Sequence, residues 1–152
     1  QVIAICEYLD GRYPQLEMLP KDPWARARAI STLAWMNNSV HPTFTHVFMP
    51  FKYTADETAQ AALKKHNLDL YRGLIERLNG EVAKASPYLN GAKIGFIDIY
   101  AVVFLRWAGL AGIDPDSYPA YKAYVDRIAA LPAIAAALER EKQPLHYFKK
   151  AA

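Results

Sequence analysis

Apolar positions run almost without a break from Ile94 to Gly109 (Ile-Gly-Phe-Ile-Asp-Ile-Tyr-Ala-Val-Val-Phe-Leu-Arg-Trp-Ala-Gly). Between Phe96 and Ala108 only Asp98 and Arg106 carry charge. A helix that is apolar all round belongs in a protein core or a membrane. This stretch is shorter than the roughly 20 apolar residues needed to span a bilayer, so it predicts the buried central helix of a globular domain. Gly95 is a tolerable N-cap. Asp98, three residues on, is placed to accept hydrogen bonds from free backbone N–H groups and to meet the positive end of the helix dipole. A buried carboxylate without such bonds is costly, so Asp98 is read as a folding element ahead of any catalytic role.

The other apolar positions recur at helical spacing. Gln1 to Leu9 predicts a helix, stopped by Asp10-Gly11, and residues 12–21, with Pro14 and Pro20, an extended linker. Asp22-Pro23 is a helix start, Asp as cap and Pro at the first helical position. The helix runs on through Ala27, Ile30, Ala34, Trp35 and Asn38, bends at Pro42, and continues to Phe48. Thr54 and Glu57 have the spacing of a capping box ahead of a long helix through Leu63, Leu70, Leu74 and Leu78 to about Asn79-Gly80. Residues 87–91 make a tight connection into the central helix. Tyr118-Pro119 opens a helix with Tyr121, Tyr124, Ile128 and Leu131 on one face, and Pro132 a short one. The tail from Gln143 carries Leu145, Tyr147 and Phe148 and is expected to pack back on the body. No segment alternates like a half-buried strand. The fold class is all-α, about five to seven helices.

Composition narrows the function. At 152 residues, 53% apolar and 22% charged, the chain reads as one globular domain with a real core. The net charge of +3 comes from scattered residues, not a basic run, which gives little support to nucleic-acid binding. A single cysteine, Cys6, forms no internal disulfide and points to a reducing, cytoplasmic compartment; its apolar helix favours an inert thiol. No signal peptide appears. An apolar helix opening at the first residue suggests a chain cut from something longer. His41 and His46 are five residues apart and share no helix face, and no metal-ligand spacing occurs. No glycine-rich phosphate loop or paired-carboxylate signature stands out.

The order of motifs resembles the C-terminal helical domain of cytosolic glutathione transferases. The pieces are Ile-Ala-Ile-Cys-Glu-Tyr-Leu-Asp at the start, Leu-Pro-Lys-Asp-Pro-Trp-Ala-Arg-Ala, Pro-Tyr-Leu-Asn-Gly, Gly-Phe-Ile-Asp-Ile-Tyr, then Tyr-Pro and Leu-Pro-Ala-Ile. Val40-His41-Pro42-Thr43-Phe44 and Leu105-Arg106-Trp107-Ala108 look most like the bacterial beta class.

The resemblance implies that residues 1–11 are the last helix of a thioredoxin-like domain and residues 12–152 the whole helical domain. The catalytic nucleophile then lies in the missing half. Gln1 matches the first of a Glu/Gln-Ser pair at the glutathione site, while Val2 stands where the Ser hydroxyl would be. His41 matches a histidine that faces the cleft near the glutathione sulfur, with Pro42 in place of the family lysine; a lone helical His is also an ordinary packing residue. Trp107 matches a wall of the electrophile pocket, which Phe44, Phe48, Met36 and Trp35 could join, although such side chains at helical spacing equally make plain core. The implied activity is conjugation of glutathione to small apolar electrophiles by a homodimer, with no metal, nucleic acid or membrane partner. Isomerisation of a dicarbonyl compound with glutathione as cofactor, and a non-catalytic interaction or regulatory module, are the alternatives. An exposed apolar face where the first domain would sit is expected to drive self-association.

Overall fold

The computed structural model describes residues 2–148. Among them are seven α-helices and no strand: α1 (Val2–Arg12), α2 (Pro23–Trp35), α3 (His41–Phe48), α4 (Glu57–Val82), α5 (Phe96–Leu110), α6 (Pro119–Ala129) and α7 (Pro132–Glu141). Helix α5 is the expected centre, with no fully exposed residue along its length. Helices α2, α4 and α6 pack around it, and α3 lies along α4. Two buried tyrosines fasten the bundle to α5. Tyr71 of α4 donates its hydroxyl to the Phe104 carbonyl (3.0 Å), and Tyr121 of α6 donates to the Ala101 carbonyl (2.6 Å). Burial pushes both phenols well above their ordinary pKa, so they remain neutral donors.

The start of α5 is built as its sequence suggests, with additions. Asp98 is fully buried. One carboxylate oxygen accepts the Gly95 N–H at 2.7 Å; the other accepts the Leu89 N–H at 2.9 Å and the Tyr124 hydroxyl. The carboxylate thus joins three segments: the turn before α5, the loop at Leu89 and helix α6. Gly95 is required for a second reason: a Cβ there would come within 2.7 Å of the Met18 carbonyl, which accepts the Phe96 N–H. At the other end of α5, Arg106 binds the tail through the Pro144 carbonyl (2.9 Å) and the Gln143 side chain (2.5 Å). Leu145 packs on the core, as expected.

Three local expectations are corrected. Helix α1 does not stop at Asp10-Gly11 but runs to Arg12. The Asp10 carboxylate is turned outward to the Leu19 N–H (3.1 Å) and the Arg26 guanidinium (2.8 Å), and Gly11 keeps an ordinary negative φ. The linker after α1 is not wholly extended, because Pro14–Leu16 forms one 3₁₀ turn. The cap of α4 is Asp56, which accepts the Ala59 N–H at 3.0 Å; Thr54 instead accepts the Asp56 N–H. Asp56 sits directly before the first helical residue, where its carboxylate reaches the free N–H groups that Thr54 cannot.

Candidate functional site: the α3–α5 aromatic cleft

Between α2 and α3, residues Met36–Val40 form one π turn. The His41 N–H donates to the Met36 carbonyl, five residues back. Pro42 has no N–H to continue an α-helical ladder, and the turn directly before it is widened while Val40 and His41 keep helical backbone angles. Ser39 and His41 carbonyls are taken up by the Thr43 (2.7 Å) and Thr45 (3.0 Å) hydroxyls.

Beyond this turn, α3 presents His41, Phe44, Thr45 and Phe48 on one stripe, spaced by three, four and seven residues. Helix α5 answers with Tyr100, Phe104 and Trp107 at the same spacing, which puts each set on one helix face. The stripes meet. Phe44 stacks on Trp107 with ring centroids 4.6 Å apart and planes 14° apart, and on Phe48 at 5.4 Å. His41 meets Trp107 edge-on at 4.8 Å. Tyr100 packs on Phe104 at 4.6 Å, and Phe104 on Trp107 at 5.7 Å. A cavity of about 160 Å³ opens among these rings, lined by His41, Phe44, Thr45, Phe48, Met49, Lys52 and Trp107. Phe44 is its buried floor and Phe48, half exposed, its outer wall.

The polar equipment is sparse. His41 Nδ1 lies 2.9 Å from the Tyr100 hydroxyl. Burial lowers the His41 pKa, so the imidazole is neutral at neutral pH. The Tyr100 phenol is pushed up to about 12, by burial and then by the Cys6 thiol of α1. Lys52 supplies a positive charge to the cavity lining. A ringed apolar recess with one imidazole and one ammonium suits a small apolar ligand carrying a single polar or anionic group.

The structure brings together four of the residues singled out from sequence: His41, Phe44, Phe48 and Trp107. Met36 is elsewhere. It is fully buried and lines a different cavity of about 250 Å³ with Trp35, Arg77 and Glu81. The Arg77 guanidinium lies 4.1 Å above the Trp35 ring there, so Trp35 is also turned away from the cleft. Gln1 lies outside the described residues. Cys6 is buried, and burial followed by Glu7 raises its thiol pKa, in keeping with an inert thiol. His46 packs against Tyr53, with ring centroids 4.2 Å apart. Among the described residues no three His, Cys, Asp or Glu side chains gather as a metal site, and no helix is long and apolar enough to cross a membrane. Sequence reasoning missed Tyr100, Thr45, Met49 and Lys52. Tyr100 was within reach, since it stands two helical turns before Trp107 and so on the same face.

Residues 39–132 match the family described as glutathione S-transferase, C-terminal domain. Among relatives, glutathione S-transferase GST-4.5 of Xanthomonas campestris pv. campestris is 30% identical over 143 residues, covering 93% of this chain and 69% of the relative. Maleylacetoacetate isomerase of Pseudomonas aeruginosa is 30% identical over 132 residues, covering 86% and 60%. Among solved structures, a sphingomonad glutathione S-transferase complexed with glutathione superposes with a TM-score of 0.79 at 30% identity, covering 95% of this chain and 68% of that one. A bacterial beta class enzyme of Sphingomonas chungbukensis gives 0.77 at 30%, covering 93% and 67%. The chain spans 60–69% of the length of the two relatives named here. With the family match reaching across α3 to α6 and the fold shared along nearly the whole chain, these 152 residues belong to the glutathione S-transferase family and carry its C-terminal helical domain.

Proposed function

We propose that this chain is the electrophile-binding helical domain of a glutathione transferase, and that residues 1–11 are the last helix of a thioredoxin-like domain that holds glutathione and the catalytic nucleophile. One observation carries the reading: His41, Phe44, Phe48 and Trp107, from two helices, converge on a single cavity. Glutathione is the co-substrate. Its thiolate, formed in the other domain, attacks an apolar electrophile seated in the cavity against Phe44, Phe48 and Trp107. His41 faces the sulfur from the helical side. The family resemblance adds a two-fold dimer of the whole protein.

Two relatives named maleylacetoacetate isomerase, from Pseudomonas aeruginosa and, as a probable one, from Vibrio cholerae, favour a second reading, glutathione-dependent isomerisation of a dicarbonyl acid. Lys52 in the cavity lining is the group that would meet its carboxylate.

Fluorescence titration with a small neutral nitroaromatic tests the first reading. Quenching that saturates and is lost in Trp107→Phe supports an apolar electrophile site. Quenching unchanged in Trp107→Phe overturns it. Tighter binding of an anionic dicarbonyl acid than of the nitroaromatic, weakened by Lys52→Ala, selects the isomerase reading. No saturable binding of either compound leaves the non-catalytic module.

A further inference from the structure

The bond between His41 and Tyr100 joins residues 59 positions apart, and two arrangements satisfy it. Tyr100 can donate to an unprotonated Nδ1, which leaves the proton of the neutral ring on Nε2. Alternatively, Nδ1–H can donate to the phenol oxygen, which leaves Nε2 bare. The surroundings favour the first. A phenol is a good donor, this one keeps its proton at neutral pH, and no other acceptor for it occurs among the described residues. The ring also packs edge-on against Trp107 while lining the cavity, so its orientation is held from two sides, and Nε2 has no protein partner among the described residues.

We propose that Tyr100 is a positioning residue: its hydroxyl donates to Nδ1 of His41, fixes the imidazole as the Nε2–H tautomer, and so presents an N–H donor to an anionic sulfur or oxygen in the cleft. The identity of the anion rests on the function proposed above; the tautomer is a property of the free chain. The consequence is a division of labour. His41 acts as a fixed hydrogen-bond donor, not as a general base, because the nitrogen that could accept a proton is occupied by Tyr100.

The titratable groups around the pair come from every neighbouring element: Lys52 in the same cavity lining, Tyr71 of α4 against Phe44, and Cys6 of α1 beside Tyr100. Burial keeps Tyr71 and Cys6 neutral through the range in which imidazole titrates, and Lys52 is the charged group in the cavity lining.

Imidazole nitrogen NMR on the ¹⁵N-labelled 152-residue chain tests this, with His41→Gln used to assign the signals. The free wild-type chain above pH 7 is expected to show His41 protonated on Nε2 and bare on Nδ1. A proton on Nδ1 overturns the proposal without any variant. In Tyr100→Phe the neutral form loses its bond, so the tautomer preference weakens and the titration midpoint of His41 rises. A midpoint that falls would mean that Tyr100 had been accepting from Nδ1–H, which stabilises the cation, and would overturn the assignment. Hexane-1-sulfonate, an anionic probe whose apolar tail suits the cleft itself, is then added to the wild type. A shift confined to Nε2 supports the donor role. Its absence overturns the anion contact alone and counts against the cleft reading, while the tautomer result stands or falls by itself.

Discussion

Replacing Asp98 should cost this domain a large part of its stability. The fully buried carboxylate satisfies the Gly95 and Leu89 N–H groups and the Tyr124 hydroxyl at once. Asp98→Ala leaves three donors from three segments without an acceptor. Each stranded buried donor costs roughly 1–3 kcal/mol; with local relaxation and some water entry the total should be about 3–6 kcal/mol. Domains are stable by only about 5–15 kcal/mol, so the variant should be marginal at room temperature. Asp98→Asn keeps one acceptor oxygen but turns an amide N–H₂ towards a donor, for about 2–4 kcal/mol. Tyr124→Phe removes one donor and leaves both backbone bonds, for about 1–2 kcal/mol. The double variant Asp98→Ala/Tyr124→Phe should cost less than the sum, because the stranded hydroxyl is gone. Urea denaturation followed by far-UV circular dichroism, with the slope unchanged, reads all four. If Asp98→Ala lies within about 1 kcal/mol of the parent, or Tyr124→Phe costs more than Asp98→Ala, the carboxylate is not the junction described here.

His41 has its pKa lowered by burial from 6.5, so on acidification the unfolded chain takes up this proton first and stability falls as pH drops through about 6.5; His41→Gln should flatten that part of a pH–stability profile between pH 7 and 5. Gly109→Ala should dislodge the tail, because a Cβ there would overlap the Tyr147 carbonyl; cleavage after about residue 142 in limited proteolysis should accelerate while the core melts only slightly earlier. Arg26→Ala removes the ion pairs to Glu7 (2.5 Å) and Asp10 (2.8 Å) that hold α1 on α2. It should cost about 1 kcal/mol, less in high salt, with faster amide exchange confined to α1.

Much of the fold was legible because helices advertise themselves locally. The apolar run from Ile94 to Gly109 could only be a buried helix, and Gly95 with Asp98 three residues later marked its start. The Asp22-Pro23 start of α2 was equally local. What escaped was settled by partners distant in sequence. Asp10-Gly11 reads as a stop until Leu19 and Arg26 draw the Asp10 carboxylate away. Asp98 reads as a one-helix cap, and nothing local says that Leu89 and Tyr124 share it. In the cleft, Trp107, His41, Phe44 and Phe48 were found through resemblance, whereas their common face follows from helical spacing alone. The same spacing holds Tyr100, but its bond to His41 crosses from one helix to another and no local pattern encodes it. Met36 was misplaced because a bulky apolar side chain near His41 suits a pocket as well as a core, and only the three-dimensional packing, which sets the π turn beside Leu78 of α4 and Ile97 of α5, turned it inward.

The most direct test of the cleft is a two-dimensional NMR titration of this chain with an S-alkyl glutathione conjugate, reading backbone amides and tryptophan indoles. The alkyl tail should enter the cavity lined by Phe44, Phe48 and Trp107, so the predicted result is a saturable shift of the Trp107 indole and of the amides from His41 to Phe48. The Trp24 and Trp35 indoles should stay in place. Shifts centred on Trp35 and Arg77, with Trp107 unmoved, would place the ligand site in the other cavity and contradict the account.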